Sequence, residues 1–318
     1  MTTATWTSSG HLLGLEDLGR DQLFSLIDDA EACLPIVRGT VPGDSVLEGR
    51  IIANLFLENS TRTRVSFSVA AQRLGGRVVD LLGSTSSASK GESLVDTAAN
   101  IAAMGVDGIV VRCSASGGAA LIAEHVEVPV INAGDGQHEH PTQGLLDLMT
   151  LLQHFDGDLS GKTIAIVGDI ASSRVARSNL WGLTAAGADV VLVGPESLVP
   201  GDLASIVPRE SGRGVVSISH DLDAVLDSVD ALMMLRIQFE RHDGDGIPED
   251  YRERFGLDIA RADRLAASVP VLHPGPINRG LELAHEVADG PRSLVLQQVT
   301  NGVAVRMAVL AGLLASSG

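Results

Sequence analysis

The sequence predicts an α/β fold in which two doubly wound parallel-sheet domains are joined by interdomain helices. Short runs rich in β-branched residues recur along the 318-residue chain, and segments with helical periodicity lie between them. This alternation is typical of a parallel sheet covered by helices on both faces. The length and the 45% hydrophobic content are sufficient for two cores. A polar, glycine-bearing stretch at 153–161 separates two strand–helix series, which indicates two domains.

The individual elements follow from apolar runs and their spacing. The runs predicted to be strands are 51–57, 78–82, 108–112, 129–132, 163–167, 189–193, 231–235 and 270–272. The segments predicted to be helices are 16–34, 63–74, 92–104, 117–124, 142–154, 174–187 and 258–267. The apolar stretch 294–314 is predicted to be a buried closing helix and not a membrane span, because its amides and arginine are costly in hydrocarbon.

We place the domain boundary near residue 150. Residues 1–150 are predicted to form the first domain, completed by the C-terminal helix 292–318, and residues 151–291 form the second. Helix 142–154 is the predicted connection. Packing between the helices near the two chain ends would tie the C-terminus back to the first domain.

The composition argues against several classes of partner and site. The formal net charge of −17 disfavours a nucleic acid or an anionic membrane, because neither polyanion gains by approaching a negative field. The two cysteines, Cys33 and Cys113, are far apart and form no CxxC pattern, so neither a disulfide scaffold nor a structural zinc site is expected. The N-terminus has no charged region before an apolar core, so we expect no signal peptide and a cytoplasmic location.

The most informative stretch is Ser60-Thr61-Arg62-Thr63-Arg64, between a predicted strand and a predicted helix. The start of a helix aims backbone N–H groups at one point, and here hydroxyls and guanidinium groups gather at the same point. These donors suit a tetrahedral dianion such as phosphate. In the alternative interpretation, Ser60 or Thr61 caps the helix and the arginines are solvated. Arginines in a first turn oppose the helix dipole unless an anion is present, which favours the phosphate interpretation.

Lysine is rare in this chain. Lys90 and Lys162 are the only lysines among its 23 lysine and arginine residues. Lys90 lies in a Ser/Gly-rich loop, where a flexible ammonium group can contact several oxygens at once. We therefore predict that Lys90 contacts a ligand. The alternative is a solvated loop charge.

Two further candidates stand at strand and helix ends of the first half. Arg112 lies at the carboxyl end of its predicted strand, and His140-Pro141-Thr142-Gln143 opens a helix. A histidine at a positive helix end is expected to stay neutral and to donate a hydrogen bond to a carbonyl oxygen. Gln143 shares its side of the helix. The alternative, a metal site at His138 and His140, lacks a third close ligand.

Nucleotide motifs are weak in this sequence. The stretch 157–163 resembles a P-loop but has three residues between its glycines, where four are needed, and it precedes a strand. The strand 163–167 is followed by Gly168-Asp169 without a GxGxxG pattern, which disfavours a nicotinamide dehydrogenase.

The second half offers two guanidinium groups and an amide at strand ends. Arg174 follows strand 163–167, and Arg236 and Gln238 follow strand 231–235. Two guanidinium groups suit a ligand with two carboxylates, whereas an amine-bearing ligand such as ornithine would call for acidic partners. Surface arginine is the alternative for each residue taken alone. The long charged segment 236–257 is interpreted as a lid.

Five motifs give the chain a resemblance to the aspartate carbamoyltransferase catalytic chains. They are Ser60-Thr61-Arg62-Thr63-Arg64, Ser89-Lys90-Gly91-Glu92-Ser93, His140-Pro141-Thr142-Gln143, Leu235-Arg236-Ile237-Gln238 and His273-Pro274-Gly275-Pro276. The first and third are shared with ornithine carbamoyltransferases, whereas the others point to the aspartate enzymes. The resemblance spans almost the whole chain. Ser68 departs from the family pattern, which commonly has an acidic residue there.

The resemblance implies a role for each matching residue. The residues implied to hold the phosphate of carbamoyl phosphate are Ser60, Thr61, Arg62, Thr63 and Arg112. Thr63, Arg112 and His140 would bind its carbonyl oxygen, and Gln143 with the backbone around Gly275 and Pro276 would bind its nitrogen. Arg174, Arg236 and Gln238 would hold the carboxylates of L-aspartate, and Lys90 would bridge both substrates. The implied catalytic set is Arg62, Thr63, Lys90, Arg112 and His140.

The resemblance also implies a reaction and an assembly. The carbamoyl group of carbamoyl phosphate would pass to the amine of L-aspartate, in pyrimidine biosynthesis, without a metal or cofactor. Active sites would be shared within a homotrimer, with the Lys90 loop reaching the neighbouring subunit. A carbamoyltransferase for another amino acid, such as ornithine, is the alternative activity, and a non-catalytic subunit with the same fold is a further one. Regulatory chains or another pyrimidine enzyme as additional partners stay open.

Overall fold

The computed structural model describes residues 6–7, 9–82, 92–239 and 247–315. The chain divides into two compact units, Met1–Leu146 with Thr300–Gly318, and Asp147–Val299. The first unit is therefore discontinuous in sequence, and the C-terminal residues return to it.

The first unit contains a parallel sheet with helices around it. Its strands are β1 (Ile51–Phe56), β2 (Arg77–Leu82), β3 (Gly108–Cys113) and β4 (Val130–Asp135). Its helices are α1 (Arg20–Val37), α2 (Thr61–Arg73), α3 (Leu94–Ala103) and α4 (Gly118–Ala123), and α5 (Pro141–His154) continues into the second unit. The strands lie in the order β2-β1-β3-β4, all parallel. Aliphatic side chains of β1, β3 and β4 form much of the core, which explains their almost unbroken apolar runs.

The second unit repeats this architecture. Its strands are β5 (Thr163–Val167), β6 (Asp189–Val193), β7 (Val216–Ser219), β8 (Ala231–Met234) and β9 (Val271–Leu272). Its helices are α6 (Arg174–Ala185), α7 (Tyr251–Phe255), α8 (Ile259–Arg264) and α9 (His285–Ala288), and α10 (Val295–Leu314) leads back to the first unit. The parallel strands lie in the order β7-β6-β5-β8-β9. Two parallel-sheet α/β units confirm the predicted fold class.

Each sheet reverses the direction of its winding at one point. In the first sheet the chain moves from β1 outward to β2 and then returns to place β3 on the other side of β1. In the second sheet it moves from β5 through β6 to β7 and then places β8 on the other side of β5. Such topological switch points open a crevice at the carboxyl ends of the strands, where α/β proteins bind ligands.

Most predicted elements are present, with shifts at their ends. Strand β7 is not among the predicted strands, because Val216–Ser219 is a short edge strand in which every second residue is serine. Helix α1 begins at Arg20 and not at residue 16. Its first turn is fixed by Gln22, whose side-chain oxygen accepts from the Gly19 N–H at 2.9 Å.

The segment interpreted as a lid, 236–257, lies partly outside the described residues. Its described end contains α7, whose Tyr251 and Phe255 side chains are buried in the second core. That end is part of the folded body of the second unit.

The described residues bear on two further expectations. Cys33 and Cys113 are both buried, and neither forms a disulfide. Within the described ranges, every helix is too short or too polar to cross a membrane.

Candidate active site

The predicted ligand residues of the first unit gather at its switch point. Ser60 to Arg64 lie at the start of α2, separated from the end of β1 by three residues, and Arg112 is the penultimate residue of β3. Phe56 of β1 pairs with Arg112 in the parallel register, and the Leu57 N–H donates to the Arg112 carbonyl at 2.9 Å. Strand register therefore holds Arg112 beside the turn into α2.

Helix α2 begins as an anion site would require. Ser60 occupies the N-cap position, yet within the described chain its side chain makes no capping hydrogen bond. The first turn contains no acidic residue, and Thr61 and Arg62 are exposed while Thr63 is buried. The helix therefore starts with N–H groups and hydroxyls but without an internal carboxylate to offset its dipole. This geometry fits the phosphate interpretation better than the capping interpretation.

Arg112 is largely buried, with 12% of its side chain exposed, and it is oriented by two acceptors. Its Nη1 donates to the Ala133 carbonyl at 3.3 Å, and its Nη2 contacts Glu58 Oε1 at 3.2 Å. Glu58 is a residue that the sequence analysis did not select. Its position between the end of β1 and Ser60 is the signal that identifies it as part of the same turn. An anion that binds Arg112 therefore approaches a carboxylate already in place.

His140 and Gln143 lie at the start of α5, as the sequence predicts. His140 is 3% exposed, and its carbonyl accepts from the Gln143 N–H at 2.9 Å. Pro141 is the first helical residue, which suits its missing N–H. The loop leading to them comes from β4, the strand beside β3, so His140 belongs to the same sheet edge as Arg112.

The residues before His140 form a network of acids and one histidine. Buried Glu139 accepts hydrogen bonds from the backbone N–H groups of Leu15 and Glu16. His138 contacts buried Asp135 at 3.2 Å, and this hydrogen bond raises the pKa of His138 to about 9. A protonated His138 lies between two acids, since Glu16 Oε1 is 3.6 Å from its Nε2.

In the structure, the residues that could hold a metal ion differ from the pair considered from the sequence, His138 and His140. Glu16, His138 and Glu139 place ligand atoms within 4.8 Å of one another, whereas His140 is not part of that group. Each of the three already has a protein partner of opposite or complementary character. The cluster is therefore satisfied as a structural network that fixes the loop before His140.

The second unit places its predicted residues at the second switch point. Arg174 begins α6 after β5, and Arg236 and Gln238 follow β8, the strand beside β5. Gly168 at the end of β5 has φ +137°, and a Cβ there would lie 3.0 Å from the Leu235 Cβ. Only glycine lets the two loops approach this closely.

The side chains of this half differ in exposure. Arg174 is 6% exposed, and Ser173 caps its helix by accepting from the Ala176 N–H at 3.1 Å. Arg236 and Gln238 are partly exposed, whereas Ile237 between them is buried. This alternation aims the guanidinium and the amide away from the core.

The loop after β9 contains Gly275 and Pro276, joined by a cis peptide bond. The Gly275 N–H donates to His273 Nδ1 at 2.8 Å. The predicted residue Lys90 lies outside the described residues.

Two family models match the chain. The carbamoyl-P binding domain of aspartate/ornithine carbamoyltransferase matches residues 10–153, and the Asp/Orn binding domain of the same family matches residues 160–313. The chain belongs to the aspartate/ornithine carbamoyltransferase family.

Relatives over nearly the full length point to the aspartate branch of that family. The chain is 51% identical over 302 residues to the aspartate carbamoyltransferase catalytic subunit of Myxococcus xanthus, covering 94% of this chain and 98% of the relative. It is similar to a Trypanosoma cruzi aspartate transcarbamoylase structure in complex with carbamoyl phosphate and aspartate, with a TM-score of 0.88, 30% identity and 98% coverage of both chains. The catalytic subunit of M. jannaschii aspartate transcarbamoylase gives a TM-score of 0.82 at 34% identity, covering 96% of this chain and 97% of that one.

Proposed function

We propose that this chain is the catalytic chain of an aspartate carbamoyltransferase. It transfers the carbamoyl group of carbamoyl phosphate to the amine of L-aspartate and yields N-carbamoyl-L-aspartate and phosphate. The observation that carries this proposal is the chemistry of the two switch points. One presents a helix start with hydroxyls and arginine, which suits phosphate, and the other presents Arg174, Arg236 and Gln238, which suit two carboxylates.

The first unit binds the donor in this proposal. Ser60, Thr61, Arg62 and Thr63 hold the phosphate at the start of α2, and Arg112 neutralises it from the end of β3. Two observations support this assignment: within the described residues the Ser60 side chain makes no capping hydrogen bond, and the first turn contains no acidic residue. Gln143 of this unit binds the carbamoyl nitrogen, and the backbone around Gly275 and Pro276, which belong to the second unit, contributes to the same contact.

The second unit binds the acceptor. Arg174, Arg236 and Gln238 hold the carboxylates of L-aspartate, and Lys90 bridges both substrates. The exposure of Arg236 and Gln238 on the side opposite to Ile237 supports this assignment. An ornithine side chain would place an ammonium group against these guanidinium groups, which is unfavourable.

The reaction needs no side-chain nucleophile. The neutral amine of aspartate attacks the carbamoyl carbon, a C–N bond forms, and the carbonyl oxygen becomes an oxyanion. The C–O bond to phosphate then breaks, its electron pair leaves on the phosphate oxygen, and the amine proton passes to the departing phosphate. Thr63, Arg112 and His140 donate to the oxyanion. A single donor of this kind contributes about 10²–10³ in kcat.

The assembly and setting complete the proposal. The chain forms a homotrimer in which Lys90 reaches the active site of the neighbouring subunit, and it acts in pyrimidine biosynthesis in the cytoplasm. The family resemblance of the Ser89-Lys90-Gly91-Glu92-Ser93 loop supports the shared site. Size-exclusion chromatography with light scattering measures the trimer, and mixing Lys90→Ala with Arg62→Ala subunits restores activity only if active sites are shared.

Substrate assays test the activity. The purified chain is supplied with carbamoyl phosphate and either L-aspartate, L-ornithine or N-acetylornithine, and phosphate release is measured. With carbamoyl phosphate present, phosphate release is expected with L-aspartate but not with L-ornithine or N-acetylornithine. Titration with N-phosphonoacetyl-L-aspartate, which joins a phosphonate to a dicarboxylate, is expected to reach one molecule per chain. Turnover with ornithine but not with aspartate would refute the proposal.

A further inference from the structure

The second unit contains a buried carboxylate that the roles above do not use. Glu282 is 0% exposed, and its Oε1 lies 3.3 Å from His273 Nε2 and 2.6 Å from the Asn278 backbone nitrogen. Its Oε2 has no hydrogen-bond partner within the described part of the chain. A carboxylate in such surroundings carries a large desolvation penalty, so its position in the core needs a local reason.

The first partner of Glu282 is a histidine in a defined tautomer. The Gly275 N–H donates to His273 Nδ1 at 2.8 Å, so Nδ1 is the acceptor and Nε2 carries the hydrogen. Nε2–H therefore donates to Glu282 Oε1. Glu282 fixes the imidazole ring, and the ring fixes the backbone of Gly275 next to Pro276.

The second partner leads to the arginine segment. The Asn278 backbone N–H donates to Glu282, and the Asn278 side-chain amide donates to the Ile237 carbonyl at 3.1 Å. Ile237 is buried between Arg236 and Gln238, which are partly exposed. Holding the Ile237 carbonyl therefore sets the direction of the two side chains on either side of it.

The same histidine is also linked to the helix of Arg174. The His273 N–H donates to Gln298 Oε1 at 3.0 Å, and Gln298 Nε2 donates to Asp147 Oδ1 at 2.7 Å. Asn179 on α6 donates to Asp147 Oδ2 at 2.8 Å. These polar side chains of the second unit are buried, so each bond is shielded from competing water.

We propose that Glu282 is a positioning residue for aspartate binding. One oxygen atom accepts from both His273 and Asn278, so it sets the distance between the Gly275-Pro276 loop and the segment of Arg236 and Gln238. This inference rests on the proposed function and deepens it. Glu282 acts through these neighbours and does not contact the substrate.

Substitution of Glu282 separates positioning from general stability. In Glu282→Ala the KM for aspartate is expected to rise at least tenfold, while the KM for carbamoyl phosphate, which the Gly275-Pro276 backbone is proposed to contact, rises by a clearly smaller factor. In Glu282→Gln the amide oxygen accepts both hydrogen bonds, so most of the aspartate affinity is expected to return. Equal losses for both substrates, or an unchanged KM for aspartate, would overturn the proposal.

A second variant keeps the test decisive if Glu282→Ala does not fold. Asn278 is partly exposed, and Asn278→Ala removes the bond to Ile237 while its backbone N–H still donates to Glu282. A severalfold rise in the aspartate KM is expected, and no rise contradicts the proposal.

Asp230 provides the matched control. It accepts from the Thr163 N–H at 2.9 Å and from Lys162 Nζ at 3.1 Å, at the opposite end of β5. Asp230→Asn is expected to lower the melting temperature without changing the aspartate KM. A wild type without aspartate turnover overturns the proposed function and the positioning role together, whereas an active wild type with an unaffected Glu282→Ala variant overturns the positioning role alone.

Discussion

The two units place candidate ligand residues at the same topological position but build the two sites differently. In the first unit the donors lie at the start of α2, where Ser60 makes no capping bond within the described chain and Arg62 is exposed. In the second unit the arginine segment rests on partly buried hydrogen bonds of Asn278, one of them to the buried carboxylate of Glu282. The first site combines the backbone N–H groups that any helix start supplies with hydroxyl and arginine side chains, whereas the second relies on side chains alone.

This difference reflects the ligands proposed for each half. Phosphate has oxygens in every direction, so a helix start with several hydroxyls accepts it with little need for fine orientation. Two carboxylates on a short chain demand two guanidinium groups at a fixed separation and angle. The first unit is therefore proposed to bind phosphate in a site that tolerates several orientations, and the second unit to bind two carboxylates in a site of fixed geometry.

Removing the Arg62 guanidinium is expected to give the largest effect. Arg62→Ala should lower kcat by about 10²–10³, because a cation fixed where charge develops is lost. Steady-state phosphate release measures the effect. Arg73→Ala, at the exposed far end of the same helix, is the control and should retain wild-type turnover. Near-normal turnover of Arg62→Ala would contradict the anion site.

The next effect tests the independence of the two sites. Arg236→Ala should raise the aspartate KM by about 10–100-fold, since a charge-assisted bidentate contact contributes about 1.5–3 kcal/mol. Carbamoyl phosphate binding, measured by calorimetry, should not change. Arg254→Ala, which changes an exposed arginine of α7, serves as the control. Weaker carbamoyl phosphate binding in Arg236→Ala would break the distinction between the two units.

A smaller effect is expected at the carboxylate beside Arg112. Glu58→Gln removes a negative charge 3.2 Å from the Arg112 guanidinium, so inorganic phosphate should bind about 3–10-fold more tightly, as expected for a partly exposed charge pair. Calorimetric titration with phosphate at low salt gives the affinity. An unchanged or weaker affinity would show that Glu58 does not compete with the anion.

The smallest expected effect concerns His138 of the first unit, which is charged, in contrast to the neutral His273 of the second unit. The hydrogen bond to Asp135 raises the pKa of His138 from 6.5 to about 9. A raised folded-state pKa means that its stabilisation is complete below pH 6.5 and is lost as the pH rises through 9. After allowance for its partial exposure, the contribution is about 1 kcal/mol.

Urea unfolding of the wild type and His138→Asn at pH 6 and pH 9.5 measures this contribution. The difference between the two proteins should shrink at the higher pH. His125→Asn, a change at an exposed histidine, should show no such trend. A difference that grows with pH would mean that His138 is neutral in the folded state.

The sequence was informative wherever function depends on where strands end. Almost unbroken apolar runs, such as Ile51–Phe56 and Ala231–Met234, show in the sequence where the parallel strands end. Arg112 and Arg236 were predicted from their positions at such strand ends. Strand β7 was missed because its serines carry no apolar signal. The segments 60–64 and 140–143 were predicted from the chemistry of helix starts, which depends on neighbouring residues and is therefore visible in the sequence.

The supporting contacts could not be predicted in the same way. Glu282 stands between two leucines, and the sequence does not tell whether such a carboxylate faces solvent or the core. Its partners His273 and Asn278 become neighbours only through the folded loop after β9. Glu58 is close to the selected turn in sequence, but its contact with Arg112 depends on the register of two strands. Burial and register are tertiary properties, and a single sequence does not encode them in local patterns.

Within the described residues the N-cap residue of α2, Ser60, makes no side-chain capping hydrogen bond, and this has a consequence for engineering the chain. Aspartate in place of Ser60 would supply the missing hydrogen bond and a favourable charge, and such a cap stabilises a helix by about 0.5–2 kcal/mol. The same carboxylate would repel the proposed dianion. Selection for heat resistance and selection for turnover therefore favour different residues at this position, and a thermostability screen without an activity assay would be drawn towards inactive variants.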